Sequence, residues 1–137
     1  MKTIDMQQMR YLNMFSKVTQ VPTSSCFVYN NTIFFSVSKN QISKAIGENG
    51  RNIKRMSEIF GKRVRVVSKP EGVSDSKKFI ESIVNPLRFK ELEVRDNEIV
   101  ITAGSQSKAA LIGRFKRRLE ELQDISKEYF GMDVKII

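Results

Sequence analysis

Four cations and two glycines gather in one short stretch of this chain, KAIGENGRNIKRM, where Lys44, Arg51, Lys54 and Arg55 surround Gly47 and Gly50. Cations in such a cluster hold phosphate oxygens through charge-assisted hydrogen bonds. A glycine inside a helix costs about 1 kcal/mol relative to alanine. Two of them three residues apart therefore read as a break between two helical stretches, the second starting at Gly50 or Arg51. The first amides of that second helix lack intrahelical acceptors, and its dipole is positive at that end. Without a Cβ at the glycines, a phosphodiester backbone can come close. Glu48 within the loop opposes an anion, but at least four cations lie nearby.

Most other chemistries lack their residues. The chain has no histidine, which removes His-based triads, Cys/His zinc sites and imidazole acid–base catalysis. The single Cys26 lies in the apolar run CFVY, where a small buried thiol is the expected reading. Neither a G-x-x-x-x-G-K-[ST] loop nor a recognisable pair of catalytic carboxylates is present. We expect no enzyme, metal, cofactor or small-molecule substrate.

Charge sharpens the anion reading. Residues 1–70 hold 12 Lys/Arg against 3 Asp/Glu, and residues 71–137 hold 12 against 12, so the whole +9 excess lies in the first half. Nucleic acid is the leading polyanion for such a half, the alternative being a solubilising surface. Apolar content of 40% suits a folded soluble chain. No apolar run approaches the ~18 residues of a membrane span. The N-terminus MKTIDMQQMRYLNMF has no signal-peptide pattern, so a cytoplasmic protein, with no membrane contact, is expected.

The elements that must position the loop are written twice. CFVYNNTIFFSV, Cys26 to Val37, reads as a hairpin around Asn30-Asn31, and LEVRDNEIVITA repeats it 66 residues on around Asp96-Asn97. IFGKRVRVV, Ile59 to Val67, corresponds to YFGMDVKII at an offset of 70, so the second copy has four extra residues. Gly61 and Gly131 are placed to end helices in the left-handed conformation. Ile4, Tyr11, Phe15 and Val18 make one stripe before Pro22. Phe79, Ile80 and Ile83 make a shorter helix before Pro86, with Asp75 as its cap. Each half reads helix, strand, strand, helix, helix, strand. In the last strand of the first half Val64 and Val66 face one way, and Arg63, Arg65 and Val67 the other. The expected architecture is α+β, two modules over 1–70 and 71–137, each a three-stranded sheet covered by helices.

This arrangement resembles the KH domain, an RNA-binding module with a G-x-x-G loop between two helices packed on a three-stranded sheet. The agreement extends over AIGENGRNIKRMSEIFGKRVRVV, and the extra helix and strand before the core are similar to the type II, prokaryotic form. Two such modules in tandem resemble the NusA-like proteins of archaea, as do MRYLNMF and the pair Asn85-Pro86. The resemblance implies a noncatalytic protein that binds single-stranded RNA and modulates transcription elongation, pausing, termination or antitermination beside RNA polymerase. It implies that Gly47, Glu48, Asn49 and Gly50 clamp the RNA backbone while Lys44, Arg51, Lys54 and Arg55 hold phosphates or stack on bases. Ile46 and Ile53 would floor the groove or simply pack in the core, and Arg63 and Arg65 would reach its rim.

The second copy departs from the pattern. Gly113 matches the first glycine, but Lys116 replaces the second. By propensity, ALIGRFKRRLEELQ can run as an almost continuous helix from about Ala109, which puts a second G-x-x-G clamp in doubt. Gly113, Arg114, Lys116, Arg117 and Arg118 form a secondary candidate RNA site, or a solvated face paired with Glu120 and Glu121. Phe115 is open to base stacking or core packing. Two other functions stay open: a ribosome-associated or RNA-processing KH protein, and a protein-interaction module docking RNA polymerase.

Overall fold

The computed structural model describes residues 5–23 and 25–137, and the chain divides between Lys69 and Pro70 into two compact units. The first contains α1 (Met6–Thr19), β1 (Cys26–Tyr29), β2 (Thr32–Val37), α2 (Ile42–Ile46), α3 (Arg51–Phe60) and β3 (Arg63–Ser68). The second contains α4 (Ser76–Val84), β4 (Glu91–Arg95), β5 (Glu98–Thr102), α5 (Ser105–Ile112), α6 (Arg117–Phe130) and β6 (Asp133–Ile136). The α+β class and the order helix, strand, strand, helix, helix, strand hold in both. Ile4, expected on the α1 stripe, lies outside the described residues. Among the described residues no helix is long and apolar enough to cross a membrane.

Both sheets follow one rule. The middle strand pairs antiparallel with its hairpin partner and parallel with the last strand, in the orders β1-β2-β3 and β4-β5-β6. Parallel neighbours need a crossover rather than a hairpin, and in each unit that crossover is the helix pair carrying the candidate loop. The two hairpins turn on consecutive residues of positive φ, Asn30 and Asn31 at 50° and 59°, Asp96 and Asn97 at 48° and 62°. Such a pair is what a two-residue type I′ turn demands, and Asn and Asp tolerate it.

In the first unit Tyr11 and Phe15 of α1, Ala45 of α2 and Met56 of α3 pack over Ile33, Phe35 and Val64, with Val18, Ile53 and Val66 at the margin. Phe15 stacks on Phe35 at 4.4 Å between ring centroids, and Tyr11 meets Phe60 edge-on at 4.8 Å. Each fully buried Phe contributes roughly 1.5–3 kcal/mol of burial free energy, and the Phe15–Phe35 stack places that term between α1 and β2. Cys26 is buried, as expected. In the second unit Phe79 of α4 packs against Tyr129 and Phe130 at 4.7 and 5.9 Å, tying the first helix to α6. Gln123 clips α6 to β6: its side-chain amide donates to Val134 O at 2.6 Å, and Val134 N–H donates to its Oε1 at 2.9 Å.

Several expectations need correction or placement. The four extra residues of the second copy lie in α6, which has 14 residues where α3 has 10. Four residues add about one turn, so helix and strand still meet through a left-handed glycine, Gly61 or Gly131, at φ 67° and 66°. Asp75 stands ahead of α4 but makes no capping bond. Its Oδ2 accepts instead from Glu71 N–H at 2.9 Å, because its own backbone already curls in a tight turn. The continuous helix from Ala109 does not form. α5 stops at Ile112 and three residues of positive φ follow, Gly113, Phe115 and Lys116, before α6 begins at Arg117.

Candidate nucleic-acid interface

α2 ends where Gly47 N–H donates to Ser43 O at 3.0 Å, and Gly50 N–H then donates back to Gly47 O at 3.0 Å. Between those bonds the backbone runs through Gly47 (φ 81°, ψ 165°), Asn49 (φ 56°, ψ 25°) and Gly50 (φ 72°, ψ 19°), and α3 starts at Arg51. Two amides at this helix start are thus used by the turn, those of Gly50 and of Arg51, the latter donating to Glu48 O.

The two glycines serve different needs. Gly47 lies in a region of φ and ψ open essentially to glycine alone. A Cβ there would lie 2.9 Å from the Asn52 side chain and 3.2 Å from Asn52 N. Asn52, whose Nδ2 donates to Lys44 O at 3.3 Å, sits under the turn and joins the end of α2 to the start of α3. Gly50 is left-handed, but a Cβ on it would meet nothing within 4 Å. Its surroundings are open, so an L residue there pays about 1–2 kcal/mol of backbone strain and no collision. Gly47 shapes the loop, and Gly50 keeps its outer side bare.

Around the bare side stand the expected cations. Lys44, Arg51, Lys54 and Arg55 are exposed, as are Glu48 and Asn49, and none of the four cations is held by a carboxylate among the described residues. Ile46 is half-buried, and Ile53 is half-buried against the core. Arg63 and Arg65 are not brought to the loop. Val64 and Val66 point at the helices, so by strand alternation the two arginines occupy the opposite face of the sheet. Arg63 is exposed at the edge strand. Arg65 lies in register with Phe34 and Phe27 across the three strands. Its guanidinium sits 5.1 Å over the Phe34 ring, and burial lowers its pKa from the ordinary value.

The second unit builds the same turn from different residues. Gly113 (φ 76°, ψ 173°), Phe115 (φ 57°, ψ 28°) and Lys116 (φ 61°, ψ 19°) reproduce Gly47, Asn49 and Gly50. Gly113 N–H donates to Ala109 O at 3.0 Å and Lys116 N–H to Gly113 O at 3.2 Å. A Cβ on Gly113 would lie 2.5 Å from Arg118 Cγ, so Arg118 plays the part of Asn52. Arg118 is also paired with Glu121, whereas Arg114, Lys116 and Arg117 are exposed and, among the described residues, held by no carboxylate. Sequence reading missed Asn52 as a support of the loop. Its signal was an amide residue two places after the second glycine, at the second position of the helix that follows.

Known proteins agree with this geometry. The KH domain family matches residues 32–81, from β2 through α2, the Gly47–Gly50 loop, α3 and β3 into α4. The chain is 27% identical over 127 residues to a "Probable transcription termination protein NusA" of Methanocaldococcus jannaschii, covering 90% of this chain and 68% of that one. A protein of the same name from Halococcus morrhuae is 22% identical over 134 residues, covering 96% and 94%. A solved structure described as "Crystal structure of APE1850" superposes with a TM-score of 0.69 at 27% identity, covering 98% of this chain and all of that one. The chain thus matches the KH domain family over its first loop and is similar along most of its length to NusA-like proteins of archaea.

Proposed function

We propose that the chain is a noncatalytic RNA-binding protein of two tandem type II KH modules, divided at the linker between residues 70 and 71, acting in transcription. The first module holds single-stranded RNA by its backbone. Gly47 and Gly50 let a phosphodiester approach the start of α3, while Lys44, Arg51, Lys54 and Arg55 neutralise phosphates on either side. The observation that carries this reading is Gly50: left-handed, with open space where its side chain would be, and with four exposed cations on the flanking helices that no carboxylate holds among the described residues. A glycine needed only for packing would face a neighbour.

The names of the homologues support a place in transcription termination or elongation, with RNA polymerase as the partner beside which the RNA is held. Gly50→Asp is the direct test. Asp tolerates the left-handed region, so the fold should persist with an unchanged circular dichroism spectrum. A carboxylate placed against a phosphate should lower affinity for single-stranded RNA at least tenfold. Full affinity in that variant refutes the loop assignment. Recovery of nascent transcripts, rather than mature ribosomal RNA, after crosslinking in cells checks the place in transcription.

A further inference from the structure

We propose that the loop of the second unit is a base-stacking site for single-stranded RNA, with the Phe115 ring as the platform and Arg114, Lys116 and Arg117 as the phosphate contacts. This rests on reading the chain as an RNA-binding protein, and it assigns the second loop a mode of binding unlike that of the first. A backbone clamp is not available here, because Lys116 puts a side chain where Gly50 leaves open space.

Phe115 is 85% exposed, far more than any other aromatic residue described. It gains nothing from burial, and it adopts a left-handed backbone that is an outlier for a bulky side chain. Lys116 beside it adopts the same region. Asn49 holds the corresponding position in the first unit with a side chain suited to it. Strain of this kind, carried by a ring that stays 85% exposed and stacks on no other ring among the described residues, points to an external ligand.

The charges select the ligand. Arg114, Lys116 and Arg117 flank the ring and have no carboxylate partner among the described residues, whereas Arg118 is taken by Glu121. Among the described residues Glu120, the other acid expected to neutralise the cluster, joins no ion pair with it. An acidic polypeptide would satisfy the cations and leave the ring in water. A single-stranded nucleic acid supplies both groups in alternation, a phosphate and a base face, and stacking on an aromatic ring tolerates any base.

The chain contains no tryptophan, so Phe115→Trp installs the sole indole at the loop tip. Titrating the full chain with a uridine homopolymer should quench that emission in step with binding. Phe115→Leu, which keeps an apolar side chain without a ring face, should lose about 5- to 150-fold in affinity, the range one stacked base supplies. Phe115→Asn should bind as weakly as Phe115→Leu yet melt at the same temperature or higher, since Asn fits the left-handed backbone. The inference is overturned by unquenched emission with unchanged affinity in Phe115→Leu, by polyglutamate binding as tightly as RNA, or by a clear fall in the melting temperature of Phe115→Asn. Gly50→Asp separates the two readings. If it weakens RNA binding while Phe115 variants do not, the first loop stands and the stacking site falls. If the indole is quenched while Gly50→Asp binds normally, the stacking site stands and the first loop falls.

Discussion

Gly47→Ala and Gly50→Ala should damage the first unit unequally, although both replace a glycine of positive φ in the same turn. For Gly50 the structure offers open space, with nothing within 4 Å of the added methyl. The cost is the left-handed strain of an L residue, about 1–2 kcal/mol, offset by about 0.4–1 kcal/mol because alanine lowers the entropy of the unfolded chain. The net loss is about 1 kcal/mol, comparable to what Lys116 already bears at φ 61° in the second unit. For Gly47 the φ and ψ of 81° and 165° are nearly closed to L residues, costing about 1–3 kcal/mol. The methyl also meets Asn52 side-chain atoms at 2.9 Å and its backbone nitrogen at 3.2 Å, and overpacking of that kind costs about 1–3 kcal/mol more. Gly47→Ala should therefore be destabilised by about 1–5 kcal/mol, after the same entropic offset. The entropic offset cancels between the two variants, which leaves a mid-range difference of about 2.5 kcal/mol; at about 4–8 °C per kcal/mol for a unit this size, the two melts should separate by roughly 10–20 °C. Circular dichroism melts of the full chain read this directly. Adding Asn52→Ala to Gly47→Ala should recover part of the loss, because it removes the side-chain collision but not the backbone one. Equal destabilisation by the two alanines, or no recovery in the double variant, refutes the division of labour between the glycines.

Other outcomes follow from the same geometry. Affinity for single-stranded RNA should fall with salt at a slope near −0.7 per neutralised phosphate, and each of Arg51→Gln and Arg55→Gln should reduce that slope by about 0.7, as read by filter binding over a salt series. Glu48→Gln should tighten binding about two- to fivefold at low salt, since a carboxylate a few ångströms from a phosphate costs roughly 0.5–1 kcal/mol in a wet site, and the gain should vanish at high salt. Lys116→Gly should raise the melting temperature of the second unit, by relief of about 1–2 kcal/mol of strain less the 0.4–1 kcal/mol entropic cost of glycine; differential scanning calorimetry checks it.

Much of the architecture was legible because it rests on local signals that physics makes strong. The hairpins were written in Asn30-Asn31 and Asp96-Asn97, whose side chains tolerate two consecutive left-handed residues. The helix ends were written in Gly61 and Gly131, and the first loop in its glycines. What failed did so where tertiary demands outweigh local preference. The segment after Ala109 prefers helix residue by residue, yet one straight helix over 105–130 would run about 39 Å, more than twice the length of the five-residue β5 beside which β6 must return. Gly113 supplies the one turn in the break that an L residue cannot, and Phe115 and Lys116 are forced to follow it. Asp75 reads as a cap from sequence because caps are read from residue type, while the carboxylate is drawn back to Glu71 N–H by the turn before the helix. Arg63 and Arg65 alternate with Val64 and Val66 as expected. The face that alternation gives them is opposite the helices, and only the sheet register reveals Phe34 beside Arg65.

The two loops share a backbone and differ in side chains, so comparing them isolates what each glycine contributes. Gly47 and Gly113 occupy the conformation that L residues nearly cannot reach, and a Cβ on either would collide with the second residue of the helix that follows, Asn52 or Arg118. That position is glycine because the fold requires it. The other position is Gly50 in one loop and Lys116 in the other at nearly identical φ and ψ, so the fold requires no glycine there. Its absence in the second unit costs about 1–2 kcal/mol of strain, a noticeable fraction of the 5–15 kcal/mol by which whole domains are stable. A bare position where the first unit has four exposed cations suits close approach by a phosphodiester. A lysine beside an exposed ring suits contact at side-chain length. The same turn is therefore equipped for two distances of approach, and binding by the two loops should respond to different substitutions.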